Sequence, residues 1–204
     1  MASQGASRAK PRWNEPVSAM KKDAILAAAR EVFQEQGLDG ASMRAIAARA
    51  GCTTGAIYPL FASKEHIYAA LLEQSLAALN ARVAGAHAKA RARPHEAAAK
   101  AFVDYYLDRP YEVNLGLYAF HGLKRLGVGK DADRALNAAL AATVRLFSPR
   151  PAADGSTDLP AMAVFAQLIG LLVLHLAGRL ALGKCTAADV MNQFFIQQRA
   201  AQQE

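Results

Sequence analysis

Hydrophobic and polar positions repeat along most of this chain with the period of an α-helix. Apolar residues recur three and four positions apart, whereas the short alternating runs of β-branched residues that would predict strands are few. In the first such stretch Ile25, Ala29 and Phe33 share one face and Gly37 follows, which predicts a helix over residues 17–36. The pattern as a whole predicts an all-α protein of about nine helices.

The stretch from residue 42 to residue 64 has the pattern of two short helices joined by a tight turn. Ser42 can accept the free amide hydrogens of a first helix, whose inner face carries Ile46. Gly51 stands where the end of a helix favours left-handed backbone, and Thr53 is placed to cap a second helix. The turn then takes about three to four residues, which is the spacing of a helix-turn-helix motif.

The second helix of this motif has an inner and an outer side. Ile57 and Phe61, four residues apart, predict an inner side that packs on the first helix. The outward positions are small or carry a hydroxyl group, and only a slim leading face able to hydrogen-bond fits the major groove of DNA. The predicted contacts are Thr54, Gly55 and Ala56 to bases, with Thr53 at the start of the helix, and Ser42, Arg44, Tyr58 and Lys64 to phosphate.

Residues 24–72 also match a known family in register. The matching positions are Phe33, Gly37, Ile46, Ala47, Ala50, Gly51, Tyr58, Phe61, Ser63, Lys64 and Glu65. By these residues the chain resembles the amino-terminal domain of TetR-type transcriptional regulators. Members of that family often carry an aromatic or polar pair that touches phosphate where this chain has Pro59 and Leu60. Because neither side chain can hold a phosphate, we expect the other phosphate contacts to matter more.

Three regions are predicted along the chain. Residues 1–16 lack periodicity and carry three basic side chains, at positions 8, 10 and 12, so they predict a disordered basic arm. That arm either enters a minor groove or is a solvated tail. Residues 17–64 form the helix-turn-helix domain. The resemblance implies that residues 65–204 form a helical domain for ligand binding and dimerisation.

Prolines, glycines and acidic residues divide this second domain into helices. A long helix follows residue 64 and ends before Pro94, which begins the next helix. Pro110 lies in the first turn of another helix, predicted to reach about residue 126, and the acidic residues near 131 open one more. Residues 148–157 form a loop, after which Asp158 reopens the helical pattern.

Residues 161–181 are the most apolar stretch of the chain. Its length approaches that of a membrane span, but Gln167, His175 and Arg179 interrupt it, which favours burial in protein and no membrane partner. A capping box at residues 186–189 opens a final helix. The resemblance implies that these two helices pair with those of a second subunit in a homodimer. The predicted interface residues are Ala166, Gly170, Ala177, Ala181, Phe194 and Phe195.

Aromatic and polar side chains gather on two successive helices of the second domain. They are Phe102, Tyr105, Tyr106, Tyr111, Asn114, Tyr118 and His121. Such a cluster can enclose an aromatic or amphipathic ligand, with tyrosine hydroxyls that orient it, or it can be an ordinary tyrosine-rich core. Because no charged residue is clearly placed for an anionic ligand, we expect a neutral or lipophilic effector.

Composition and charge agree with a nucleic-acid partner without proving one. The 204 residues carry a formal charge of +7, and residues 1–64 hold nine Lys or Arg against five acids. Cys52 and Cys185 lie far apart and show no metal-ligand spacing, so no metal and no cofactor is expected. The first residues lack the apolar core of a secretion signal, which predicts a cytoplasmic protein.

Two functions from different classes remain open. No nucleophile elbow, metal-binding histidine pair or glycine-rich phosphate loop is present, so no catalytic residue and no enzyme is predicted. The first hypothesis is a ligand-responsive regulator that binds a double-stranded, palindromic DNA operator and is released by a small molecule. The alternative is a helical ligand-carrier or protein-interaction module without DNA binding, which Pro59 and Leu60 favour.

Overall fold

The computed structural model describes residues 15–117, 129–150, 153–154 and 156–201. These residues form nine α-helices and two short 3-10 turns, Arg145–Phe147 and Arg179–Gly183, and they contain no strand. The all-α prediction is therefore confirmed. The helices are α1 (Glu15–Gly40), α2 (Met43–Arg49), α3 (Thr54–Ile57), α4 (Lys64–Lys89), α5 (Pro94–Asp108), α6 (Pro110–Leu117), α7 (Lys130–Val144), α8 (Leu159–Leu176) and α9 (Ala187–Ala200).

The chain divides into two compact units, Met1–Leu71 and Leu72–Glu204. The division falls within α4, so the first two turns of this helix belong to the amino-terminal unit. There Tyr68 of α4 lies edge to face against Phe33 of α1, with 5.4 Å between the ring centroids. This unit is thus a small helical domain with a core of its own.

The core of the amino-terminal unit comes from the inner faces that the apolar pattern predicts. Ile46 of α2 and Ile57 of α3 are completely buried, and Phe61 is buried just after α3. Gly37 interrupts α1 with a φ of 67°, which glycine adopts without strain, and the chain then makes one more helical turn to Gly40. The predicted end of the first regular helix thus coincides with Gly37.

The carboxyl-terminal unit packs around Phe102 of α5. Its ring lies 5.0 Å from that of Tyr106, 5.4 Å from that of Phe147 and 5.9 Å from that of Phe165, each in an edge-to-face arrangement. Aromatic pairs of this kind add to the free energy gained by burying their area. The cores of α8 and α9 join the same cluster through residues such as Leu168.

Local capping signals were reliable in this unit. Asp158 accepts the backbone N–H of Ala161 at 2.8 Å and begins α8, as predicted. Thr186 and Asp189 form the predicted capping box at the start of α9. Helix α5 begins at its predicted proline. These signals depend on a few neighbouring residues, so they can be read without knowledge of the tertiary structure.

The apolar stretch is not one helix over residues 161–181, and this corrects the sequence interpretation. Helix α8 ends at Leu176, Ala177 caps it, and Gly178 turns the chain with a φ of 66°. Ala181 lies in the separate 3-10 turn. The predicted stripe of small residues on one helix therefore stops at the end of α8.

The two aromatic residues predicted for the interface on α9 also belong elsewhere. Phe195 is buried in the core of its own protomer, and Phe194 packs partly buried against that core. Both residues lie on the face of α9 that points into the protomer. The exposed face of α9 carries Ile196 instead, with about half of its surface accessible.

Helix α8 is apolar and yet mostly uncovered. Its mean hydropathy is 2.1, and 28% of the helix is buried. By length and composition alone it is the one helix among the described residues that could cross a membrane. His175 near its end is exposed. The exposed apolar residues of α8 include Met162, Val173 and Leu174.

Candidate nucleic-acid interface

Helix α2 begins and ends as the sequence predicts. Ser42 has extended backbone, and its Oγ accepts the backbone N–H of Ala45 at 3.1 Å. After α2 the chain turns at Gly51, whose φ of 66° is costly for other residues. The backbone N–H of Cys52 donates a hydrogen bond to the carbonyl of Ala47 at 3.0 Å, which closes this turn. Helix α2, the turn at Gly51 and helix α3 therefore form a compact corner, the helix-turn-helix corner of this protein.

Helix α3 is shorter than the sequence suggested. It spans a single turn, Thr54–Ile57, and continues as a hydrogen-bonded turn in which Leu60 N–H donates to the Ile57 carbonyl at 2.8 Å. Thr53 has the extended backbone of a capping residue, but its side chain makes no capping hydrogen bond, so that expectation is wrong. Thr53 itself is exposed.

The outer edge of the corner is slim and exposed. Gly55 and Ala56 are exposed, Thr54 is half-buried, and the adjacent Ile57 is fully buried. Tyr58 leaves 56% of its surface accessible, which is high for an aromatic residue next to a core. An edge of this shape can enter a DNA groove with small side chains in front and a phenol hydroxyl at the side. The structure thus brings the predicted base-contact residues together on one surface.

Arg49 fastens α2 to α1, a contact that the sequence pattern did not predict. Its Nη1 lies 2.8 Å from Glu31 Oε2, and its Nη2 lies 2.8 Å from Glu35 Oε2. The hydrogen bond from Arg49 is the main cause that lowers the pKa of Glu35, and the two carboxylates raise the pKa of Arg49. Glu31 and Glu35 lie four residues apart on α1, and this spacing was the sequence signal for a shared basic partner. Arg49 is therefore engaged within the protein.

The predicted phosphate contact of Lys64 is corrected by the structure. Its ammonium donates to the backbone carbonyls of Leu38 at 2.8 Å, Ala41 at 3.0 Å and Asp39 at 3.2 Å. An ammonium has three N–H groups, and all three have partners here. The side chain therefore turns toward the protein, although the sequence suggested that it points outward.

Arg44 then stands out among the cations of the corner. It lies in the first turn of α2, is exposed and makes no ion pair among the residues that the structure describes. On α1, Lys22 lies 5.8 Å from the centre of the Phe61 ring. Phosphate contact from the described part of the corner would rest mainly on Arg44, Ser42 and Tyr58.

The predicted ligand cluster is densely packed where the structure describes it. Phe102, Tyr105 and Tyr106 are buried, and Tyr111 is half-buried. Burial raises the pKa of Tyr106. The side chain of Asn114, together with Tyr118 and His121, lies outside the described residues.

A buried carboxylate joins this cluster, and the sequence analysis did not anticipate it. Glu112 of α6 is 5% exposed. Its carboxylate accepts hydrogen bonds from the hydroxyl groups of Ser75 at 2.5 Å, Tyr105 at 2.5 Å and Tyr111 at 2.9 Å. Desolvation, followed by the bond to Glu112, raises the pKa of Tyr105 to about 12. Arg109 stacks over the Tyr105 ring at 4.6 Å. These contacts hold α6 against α4 and α5.

Two surface grooves lie in the carboxyl-terminal unit. One, of about 540 Å³, runs between α4 and α5 and is lined by alanine and glycine together with Arg82, Lys89, Lys100 and Asp104. The other, of about 480 Å³, lies between α4 and α7 and is lined by residues such as Leu76 and Leu136. Neither groove is lined by the predicted aromatic residues. The part of the chain that the structure describes shows no cluster of three metal-ligating side chains.

Comparison with protein families places the corner in a known class. Residues 25–71 match the family model described as "Bacterial regulatory proteins, tetR family". These residues include α2, α3 and the first turns of α4. Comparison with curated protein sequences gives no significant match.

Several solved structures share the fold at low sequence identity. A TetR family transcription regulator from Marinobacter aquaeolei VT8 has a TM-score of 0.66 at 14% identity, with 88% of this chain and 94% of that chain covered. A bacterial regulatory protein in the tetR family from Rhodococcus RHA1 has a TM-score of 0.61 at 22% identity, with 74% and 83% covered. The fatty acid degradation regulator FadR from Bacillus halodurans has 0.61 at 17% identity, with 85% and 91% covered.

The fold and the corner together define a DNA-binding transcriptional regulator with an amino-terminal helix-turn-helix and a helical carboxyl-terminal domain. Residues 25–71 thus carry the amino-terminal domain of the tetR family, and the chain shares its fold with solved regulators of that family. Members of this family regulate transcription and are not enzymes.

Proposed function

We propose that the chain is a homodimeric repressor that binds a palindromic DNA operator through α2 and α3 and is released when a small molecule binds the carboxyl-terminal unit. The observation that supports it best is the exposed, slim edge at Thr54, Gly55 and Ala56 above the buried Ile57. A corner with only a structural role has no need of an exposed tyrosine beside it, and Tyr58 is more than half exposed. Such a regulator acts on DNA in the bacterial cytoplasm.

The uncovered side of α8 supports the dimer. Met162, Ala166, Gly170 and Val173 follow one another at helical spacing, and all are exposed in the protomer. A mostly apolar exposed face of this kind marks an interface or a membrane contact, and Gly170 lets another helix approach closely. We propose that a second subunit covers it together with the Ile196 face of α9. Paired corners would then lie about 34–36 Å apart, one turn of DNA.

For the effector we propose a neutral or lipophilic molecule. The carboxyl-terminal unit is built around an aromatic core, and one relative in fold is described as a fatty acid degradation regulator. Tight binding alone would not release DNA, because a ligand shifts an equilibrium only by its different affinity for the two states. We propose that the effector favours a state whose two DNA-binding units no longer match successive grooves.

Titration of the full-length protein against the DNA upstream of its own gene tests this function. We expect sequence-selective binding that a random duplex of equal length does not compete away at moderate salt. If no selective binding is found at low or moderate salt, the ligand-carrier alternative gains support and the repressor proposal fails. Mass measurement of protein purified without added ligand would identify a retained compound.

Arg44→Gln is predicted to weaken binding to every duplex equally. Loss of one phosphate contact per protomer should reduce the slope of log K against log salt by about 0.9 for each subunit, since fewer counterions are released. Fluorescence anisotropy at five salt concentrations measures this slope. An unchanged slope would show that Arg44 does not contact phosphate.

Thr54→Ala is predicted to change preference among operators more than overall affinity. A hydroxyl that hydrogen-bonds to a base edge contributes about 0.5–1.5 kcal/mol of discrimination, which its removal would erase at one position of each half-site. Competition between single-base variants of the operator measures this effect. A uniform loss on all variants would assign Thr54 to backbone contact instead.

A further inference from the structure

Lys64 occupies an unusual position for a lysine at the border of a DNA-binding corner. It is the first residue of α4, yet its side chain reaches back to the segment that connects α1 with α2. The three carbonyls that it binds belong to Leu38 and Asp39, near the end of α1, and to Ala41, just before Ser42. All partners lie within the amino-terminal unit.

The chemistry of this contact suits an ammonium group. Carbonyls at the end of a helix lack intrahelical partners, and the helix dipole places partial negative charge there. A compact ammonium can direct its three N–H groups at three converging oxygens, whereas a planar guanidinium cannot. The positive charge of Lys64 is thus used inside the protein and is directed away from solvent.

We propose that Lys64 is a positioning residue that fixes the connector between α1 and α2 in the conformation that binds DNA, and that it makes no phosphate contact. Ser42, the cap of α2, directly follows the last carbonyl that Lys64 holds. When this clamp is lost, Arg49 still ties α2 to α1, but the connector that precedes Ser42 is held less firmly and the binding-competent fraction falls. The inference rests on the proposed DNA binding and assigns a role within it.

Lys64→Met and Lys64→Arg, tested in the full-length protein, separate this role from a phosphate contact. With the selected operator, we expect both variants to lose affinity by about tenfold while the salt slope keeps its wild-type value. A phosphate contact predicts the opposite pattern. Lys64→Arg would then bind like the wild type, and Lys64→Met would lose about 0.9 of slope per subunit. Either of those two results, or unchanged affinity in both variants, would overturn the proposal.

Hydrogen exchange gives a second readout that does not depend on DNA. In Lys64→Met we expect faster amide exchange in a peptide covering residues 38–43, and unchanged exchange in peptides from residues 72–201. Arg44→Gln is the matched control, because it also removes one positive charge but should change the salt slope and leave this exchange as it was. Wild-type exchange in Lys64→Met would refute the clamp. If the wild type itself bound no DNA selectively, the proposed function would fail, while the exchange result would still stand.

Discussion

Gly170→Glu is expected to make the protein monomeric and to lower operator affinity by roughly a hundredfold or more, since two linked half-sites bind far better than one. A Cβ added at Gly170 meets no heavy atom within 4 Å in the protomer. The change should even favour helix α8, because glycine costs about 1 kcal/mol in a helix interior. The protomer should therefore stay folded while the proposed interface is blocked. Sedimentation equilibrium and circular dichroism measure the two effects.

Gly85→Glu provides the matched control for this substitution. Gly85 also lies inside a helix, α4, and a Cβ there likewise meets no heavy atom within 4 Å. It has the same change in charge and helix propensity but lines the groove between α4 and α5, to which α8 and α9 contribute no residue. We expect it to remain dimeric. A Gly170→Glu protein that sediments as a dimer at micromolar concentration would contradict the assignment of α8 to the interface.

Glu112→Ala is expected to reduce the free energy of unfolding of the carboxyl-terminal unit by about 3 kcal/mol, because hydrogen bonds to a charged group contribute about 1.5–3 kcal/mol each and their donors would be left buried. Ser75 and Tyr105 both donate to this carboxylate at 2.5 Å. Urea denaturation followed by circular dichroism measures the loss as a lower midpoint.

Asp104→Ala serves as the comparison for a more exposed carboxylate. Asp104 pairs with Lys100 at 2.8 Å within one helix, and pairs of this kind contribute about 0.3–0.5 kcal/mol. We expect little change in its urea midpoint. Should Glu112→Ala unfold at the same urea concentration as Asp104→Ala, the hydroxyl contacts to Glu112 would not stabilise the fold as described.

The sequence predicted those features that a few neighbouring residues control. Helix starts at Pro94, Asp158 and Thr186 were correct, because caps and prolines act within one turn. The turn at Gly51 was predicted for the same reason, since a left-handed residue after a helix is read directly from glycine. The exposed edge beyond it followed from the spacing of the buried residues.

Other features depend on contacts between residues that are distant in the chain. Lys64 binds carbonyls 23 to 26 positions away, and Glu112 meets Ser75 across 37 positions. Periodicity contains no information about such partners, so Lys64 was assigned to phosphate and Glu112 was overlooked. The end of α8 was missed for a different reason. The apolar pattern continues past Gly178, and only its positive φ reveals the break.

Selection of the full-length protein on a random duplex library tests the central claim most directly, because it requires no knowledge of the operator. We predict enrichment of a two-fold related sequence whose half-sites are centred about 10 base pairs apart, bound by protein dimers. The Thr54→Ala protein should enrich an altered half-site. A library without any enriched sequence at low and moderate salt, from protein shown to be folded, would contradict the claim that the corner at α2 and α3 reads DNA.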